Sequence, residues 1–500
     1  MPFEPVFETF NVRESKGETV NEIKIECRTD IPSDAVKKVI SVDMRCGAYC
    51  GEIKSGRAEF FGRANFFIVY ETAEGEIKKC ECGAEFRDAT ENPEITDNCK
   101  IVFSCTGERA ETSLSGVNLA AEALIKVRGR IFADVTVTAL SGGEGIIADV
   151  KEKPFVRTYD AVSVSYPVEE EFEVNYNVKE VIEHRAVAAV TAVQCGVGAV
   201  ICDGEIYLTE IFLQSGEKQD IIREDRTIPF RVEMECEEAM PSLSAAASVF
   251  VKSVKTDAVV DEENGVSTVS AAVVLDVSGR AESLESVKIA EDVFSTDCFL
   301  TIKKETTSSF IFGEIKSVPF TVKTRCSVGE LPSATRLCAV MGERAEIVSV
   351  ETADGGVSVT GTVTATALFL TDGESPLSVK TEFPFEKFIE TDGVDTEISV
   401  VAKKAYGKPY TLSEIDMETE LVFTVCAKKR YGIIYVSAVE EGEEKTPETA
   451  AVSVYIPIAG EGLWELSKRL NVSPEKLIAV NSDLQFPLSG AERIVVYRQI

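Results

Sequence analysis

Five hundred residues with 44% hydrophobic side chains are too many for one core and too apolar for disorder, so three or four folded domains are expected. The net charge of −32, from 84 acidic and 52 basic residues, excludes nucleic acid and bare anionic membrane as partners, because each requires a basic patch. No stretch approaches the roughly 20 apolar residues that cross a bilayer.

The chain begins Met1-Pro2-Phe3-Glu4, with acid where a secretion signal carries base. It is therefore expected to stay in the cytoplasmic compartment where it is made. From there to Lys445, three stretches repeat one another. The first holds Ile31-Pro32-Ser33-Asp34-Ala35, then Phe66-Phe67-Ile68-Val69-Tyr70, a turn at Gly75-Glu76, and Ala84-Glu85-Phe86. The second holds Ile206-Tyr207-Leu208, Ile211-Phe212-Leu213, a turn at Gly216-Glu217, and Ile228-Pro229-Phe230. The third holds Leu331-Pro332-Ser333-Ala334, Thr366-Ala367-Leu368-Phe369-Leu370, a turn at Gly373-Glu374, and Phe383-Pro384-Phe385. Phe86, Phe230 and Phe385 recur roughly every 150 residues, which is too long for a solenoid and right for a duplicated domain.

Each copy reads as mainly β. Val357–Ala367 alternates apolar or small residues with hydroxyls, which puts one face on a core and the other toward water. It leads into Asp372-Gly373, which supplies the positive φ of a tight hairpin. Short strands with turns every ten or so residues predict antiparallel β-sandwich-like domains in tandem. The Ile-Pro-Ser and Leu-Pro-Ser segments either start short helices or mark edge-strand entries. Joints are expected at Ser141–Gly145, at Ala290–Asp297 and at the acidic run Glu440–Glu448, a solvated tether. The expected division is 1–155, 156–297 and 298–440 for the three β repeats, 441–450 for an acidic linker, and 451–500 for a small terminal domain.

The chemistry-bearing residues are sparse. His184, the one histidine, sits in Glu183-His184-Arg185, and its charged neighbours suggest a strand edge or loop. No phosphate loop, dinucleotide turn or His-Glu-x-x-His motif is present. Carboxylates abound without forming a constellation, and no aromatic sugar platform accompanies an acidic pair, which disfavours a hydrolase. Fourteen cysteines without a secretion signal read as reduced thiols. Cys46, Cys50, Cys80 and Cys82 have the spacing for a four-thiolate zinc site, but the other copies lack counterparts, which favours ordinary thiols. The expectation is a protein with no catalytic residues, cofactor or metal.

The last fifty residues read as strand, glycine turn, two short helices and strand. Leu463, Leu466, Ser467 and Leu470 make one apolar helix face, and Leu477, Ile478 and Val480 do similar duty in the second helix. Ser473-Pro474-Glu475 is a helix start. This segment resembles a LysM domain, with Gly460-Glu461-Gly462-Leu463 at the family's first turn, Trp464 after it, Asn481 after the second helix and Gly490 before the last strand. The resemblance implies a partner- or glycan-binding groove formed by Gly460, Glu461, Gly462, Leu463, Trp464, Asn481 and Ser482, which in the family takes N-acetylglucosamine polymers. Gly462 and Ser482 depart from the family's usual threonine and proline. Trp464 either covers the small core or contacts a partner.

A triplicated acidic β body with such a tail also resembles the SPOCS-domain proteins of spore-forming Firmicutes. That resemblance implies a non-enzymatic scaffold in spore coat or envelope assembly. It would act in the mother-cell cytoplasm at the forespore surface, its LysM tail gripping a protein such as stage IV sporulation protein A. The alternative it leaves is a peptidoglycan-binding protein using the same tail.

Overall fold

The computed structural model describes residues 3–216, 220–332, 335–371, 376–391, 395–446 and 451–497, without the side chains of 108 and 109. The chain is mainly β, with 78% of it in strands and 4% in helix. The strands fall into three lobes. Lobe 1 holds β1 Glu4–Pro32, β2 Val36–Lys54, β3 Arg57–Thr72, β4 Ile77–Glu91, β5 Cys99–Ser113 and β6 Asn118–Glu144. Lobe 2 holds β7 Ile147–Asp160, β8 Val164–Val174, β9 Val178–Cys195, β10 Ala199–Gln214, β11 Ile221–Glu235, β12 Ser244–Asp261 and β13 Val266–Phe294. Lobe 3 holds β14 Cys298–Ser327, β15 Arg336–Ala353, β16 Gly356–Leu370, β17 Leu377–Glu390, β18 Asp395–Pro409 and β19 Glu414–Glu444.

One strand order recurs in all three lobes. A three-stranded meander (β2-β3-β4, β9-β10-β11, β15-β16-β17) packs on a second antiparallel sheet (β1-β6-β5, β7-β13-β12, β14-β19-β18). In lobe 2 the long first strand is split into β7 and β8, both paired with β13. Period-two patterning explains the packing. Leu119, Ala121, Ala123, Ile125 and Val127 of β6 face Phe60, Phe66 and Ile68 of β3 in a buried core.

The recurring phenylalanines have a shared job. Phe86, Phe230 and Phe385 each pair with a glycine on the central meander strand: Gly62, Gly204 and Gly361. A Cβ on any of these glycines would overlap the phenylalanine ring and a carbonyl oxygen of the preceding strand. The glycines therefore mark a close approach inside a strand, not a turn.

Several expectations are corrected. The strands are long, not short; β19 alone runs 31 residues. The expected joint at Ser141–Gly145 lies largely inside a strand, because β6 runs to Glu144. Gly142 and Gly143 pair with Val6 and Pro5, and Gly17 sits at a break in the β1–β6 register with φ 109°. The expected boundary at 155 falls within β7. The expected tether does not begin at 441, because Glu441 and Glu444 pair with Leu300 and Cys298 at the end of β19. Their carboxylates reach water from an exposed strand end, so like charge does not stop pairing. Lys445 continues the attachment by donating its N–H to Asp297 O at 2.8 Å. Ser33–Ala35 forms a single helical turn between β1 and β2. Ser333, Ala334, Glu217, the turn at 372–375 and residues 447–450 lie outside the described residues.

Two apolar clusters tie the lobes together. Ile40, Val69 and Ile77 of lobe 1 meet Ile182, Ile211 and Leu213 of lobe 2 and Met341 and Leu368 of lobe 3. Elsewhere the long strands meet, joining Phe10 and Val137 to Phe155 and Ile289 and to Ile433 and Tyr435. After the body come β20 Val452–Tyr455, α1 Leu463–Leu470, α2 Pro474–Val480 and β21 Ile494–Tyr497, with β20 and β21 antiparallel. Leu466, Leu470, Leu477, Leu488, Ile494 and Val496 form their core. Ile478 and Val480 do not join it and stay exposed, because two turns of helix turn only Leu477 inward.

Candidate functional site

The first meander strand of each lobe carries an arginine at the junction: Arg45 on β2, Arg185 on β9 and Arg344 on β15. Each reaches into the next lobe. Arg45 Nη2 donates to His184 O at 2.7 Å. Arg185 donates to Glu343 Oε1 at 2.9 Å and to Ala402 O at 2.7 Å. Arg344 donates to Met44 O and to Gly107 O, and pairs with Asp43. The contacts run from lobe 1 to 2, 2 to 3 and 3 to 1, so the ring closes.

Buried charge concentrates here. Glu343 has no exposed surface and takes Arg185 and Arg223 together. Burial opposes its ionisation, but the two guanidinium groups outweigh it and hold the carboxyl below its ordinary range. Burial, then Glu343 and Asp43, push Glu183 up to about 7. Burial, then Lys79 and Arg45, push His184 down to about 3, so the ring is neutral at pH 7. The 3.5 Å approach of Glu81 Oε1 to His184 Nε2 is therefore not an ion pair.

Asp43, Arg45, Glu183, His184 and Arg344 line a cavity of about 560 Å³ between the outer faces of the lobe 1 and lobe 3 meanders, closed by β9. Sequence reading placed His184 at a strand edge or loop. β9 is an edge strand of its sheet, but lobes 1 and 3 cover that edge and leave His184 6% exposed. The arginine ring was not anticipated. Its signal is present as Asp43-Met44-Arg45, Glu183-His184-Arg185 and Gly342-Glu343-Arg344, with Arg45 opposite Asn65 and Arg344 opposite Thr364, each three residues past its meander glycine, and Arg185 opposite Thr209, five past its own.

The thiols follow the apolar cores. Cys46, Cys80 and Cys82 pack in the lobe 1 core, while Cys50 packs against a neighbouring cluster with Ile95 and Cys99. Burial raises the Cys80 thiol to about 11, which favours the protonated form.

At the tail, the first turn, the start of α1 and the loop after α2 carry the seven expected residues. Gly460 has φ 87° and donates to Leu488 O at 2.7 Å, while Leu488 N donates to Glu461 O, so the first turn and the later loop are joined. Glu461 is held by Arg469 through two hydrogen bonds, 2.7 and 2.8 Å, and accepts from Ile458 N. Gly462 precedes α1 with extended backbone, and its carbonyl accepts from Leu466 N. Leu463 packs against the tail core. Asn481 bonds Leu477 O, Val495 O and Val495 N, which pins β21 to α2. Ser482 stays beside Asp483.

Trp464 is not part of the tail core and packs on the body instead. Its ring meets Phe294 edge-on at 5.3 Å, and its Nε1 donates to Asp292 at 2.9 Å. Lys468 and Lys304 also reach Asp292. Asn471 adds a bond to Thr296 O, and Lys445 Nζ bonds Asn471 Oδ1. The tail is thus docked where lobe 2 passes into lobe 3. Burial opposes ionisation of Asp292, yet its three donors hold the carboxyl down to about 2.

Residues 333–405 match the family described as SipL, SPOCS domain. The SPOCS match spans β15, β16 and β17 and most of β18, the meander of lobe 3 and the strand after it. It contains Gly361, Phe385, Glu343 and Arg344, and so covers both the glycine–phenylalanine contact and one third of the ring. No curated protein and no solved structure matches the chain.

Proposed function

We propose that this chain is a non-enzymatic scaffold in spore coat or envelope assembly, built from three copies of one SPOCS-type domain and a LysM-like tail. The carrying observation is the SPOCS match over 333–405, set on a strand order that lobes 1 and 2 share. The glycine–phenylalanine pair recurs at the same place in each lobe, and each first meander strand carries a junction arginine, which supports duplication. The lobes bury their polar clusters between one another, and this arrangement suits a rigid platform.

The tail is the anchor to a protein partner, of the stage IV sporulation protein A kind, at the forespore surface in the mother-cell cytoplasm. Its β-ribbon turns Val452, Val454, Ile456 and Tyr497 to solvent, an apolar face suited to protein contact. Asn481 spends its amide on β21, which argues against the alternative reading of peptidoglycan binding. The test is retention of the full chain and of a chain ending at residue 446 on immobilised partner, beside sedimentation with purified peptidoglycan. Loss of partner binding with the tail removed supports the proposal. Undiminished binding, or sedimentation of the full chain with peptidoglycan alone, overturns it.

A further inference from the structure

The cavity between lobes 1 and 3 holds unpaired cations that scaffolding does not explain. Arg45, Lys79 and Lys380 line it, and none of the three forms an ion pair among the described residues. Arg45 makes one hydrogen bond, to His184 O, and lies over the Phe67 ring at 4.5 Å. Its other donors are free for a ligand. Burial lowers its proton affinity, and Arg185 and Arg344 add to this against Asp43 and Glu183. Burial depresses His184 first, and Lys79 and Arg45 add to it. Both its ring nitrogens are buried without a hydrogen-bond partner. Two neighbouring groups thus hold unspent hydrogen-bonding atoms at one buried place.

Six carboxylates line the cavity with them: Asp43, Glu81, Glu111, Glu183, Glu346 and Glu382. Asp43 is committed to Arg344. Glu183 accepts from Gly342 N, and with its pKa near 7 it carries less than a full charge at neutral pH. Glu81, Glu111, Glu346 and Glu382 are exposed, so water and salt screen their charge, although Glu81 Oε1 comes within 3.5 Å of His184 Nε2. The opposite wall is the hydroxyl face of β16, where Thr362, Thr364 and Thr366 line the cavity. A volume of about 560 Å³ falls within the range of small-molecule sites.

We propose that this cavity binds a small oxygen-rich anion, phosphate or polycarboxylate, through Arg45, Lys79 and His184, with Lys380 at its mouth and the β16 threonines as further hydrogen-bonding groups. A ligand there would touch lobes 1, 2 and 3 at once and would tighten their junction. The site is independent of the tail and of any partner, so its failure leaves the scaffold reading intact.

Titration calorimetry of the full chain at pH 7 and low salt uses inorganic phosphate in one arm and citrate in another, with sorbitol as the neutral control. One site per chain is expected for at least one anion. Lys79→Gln with Lys380→Gln, substitutions away from the arginine ring, should weaken it at least about tenfold. Arg45→Gln should abolish it, with circular dichroism checking the fold. The proposal is overturned if neither anion binds at millimolar concentration, if the double variant binds unchanged, or if sorbitol binds as well as the anions.

Discussion

Gly204 shows how much a single side chain matters to this sheet. The Phe230 ring occupies the space where a Cβ would stand, and Ala189 O closes it from the other strand. Gly204→Ala must push the ring or the strand aside, at a cost of about 1–3 kcal/mol. Denaturant unfolding should show that loss, while Gly198→Ala, in open space, pays only for its positive φ of 74°. If the two variants lose the same stability, ring stacking is not the reason for the glycine. Glu183 gives a pH signature. Its carboxyl binds a proton more tightly folded, near 7, than at its ordinary 4.5. The folded chain therefore holds more protons between these values, and stability present below 4.5 is lost as pH rises through 7. The loss attributable to this group is of the order of 3 kcal/mol. Glu183→Gln should flatten the fall in unfolding free energy between pH 5 and 8, and an unchanged slope would assign the effect elsewhere.

At the scale of elements, α1 is defined as much by the body as by its own core. Asp292 accepts from Trp464, Lys468 and Lys304 together. Asp292→Ala removes all three contacts and leaves the Leu466–Leu470 core of the tail untouched. The indole emission of Trp464 should shift to the red and the tail should become more accessible to protease, with the melting of the lobes unchanged. Unaltered emission would mean that Phe294 alone holds the ring. This docking explains where sequence reading stopped. The alternation in Val357–Ala367 and the helix stripe of Leu463, Leu466 and Leu470 were legible, because each segment's period names its buried face. What that face packs on is not local information. The hydroxyl face of β16 read as solvent-facing, yet it lines a cavity because lobe 1 lies across it. Glu440–Glu444 read as a tether because like charges discourage a core, but a strand needs only backbone partners, and β14 supplies them. The bond from Trp464 to Asp292 was not legible, because Asp292 lies 172 residues away.

For the whole molecule, the ring of arginines makes three lobes one folding unit. Each lobe has its own sandwich core, which alone would permit separate melting. Against that stand two apolar clusters drawn from all three lobes and a buried carboxylate shared by two guanidinium groups. Unfolding lobe 3 by itself would strip Glu343 from Arg185 and Arg223 and leave two cations of lobe 2 without it. Removing one side of a buried pair costs about 3–5 kcal/mol, because the remaining charge is stranded. Glu343→Leu imposes that cost without altering any other lobe's sequence. Arg223 keeps Asp225 as a partner, so the loss falls mainly on Arg185, which retains only its bond to Ala402 O. Differential scanning calorimetry of the full chain should show one transition for the body, moved down as a whole by this substitution. If the lobes were independent, the variant would instead split off an early transition of one-third the enthalpy and leave the rest where it was. A body that melts as one piece presents its outward faces in fixed relation to one another, which is the mechanical property an assembly platform requires.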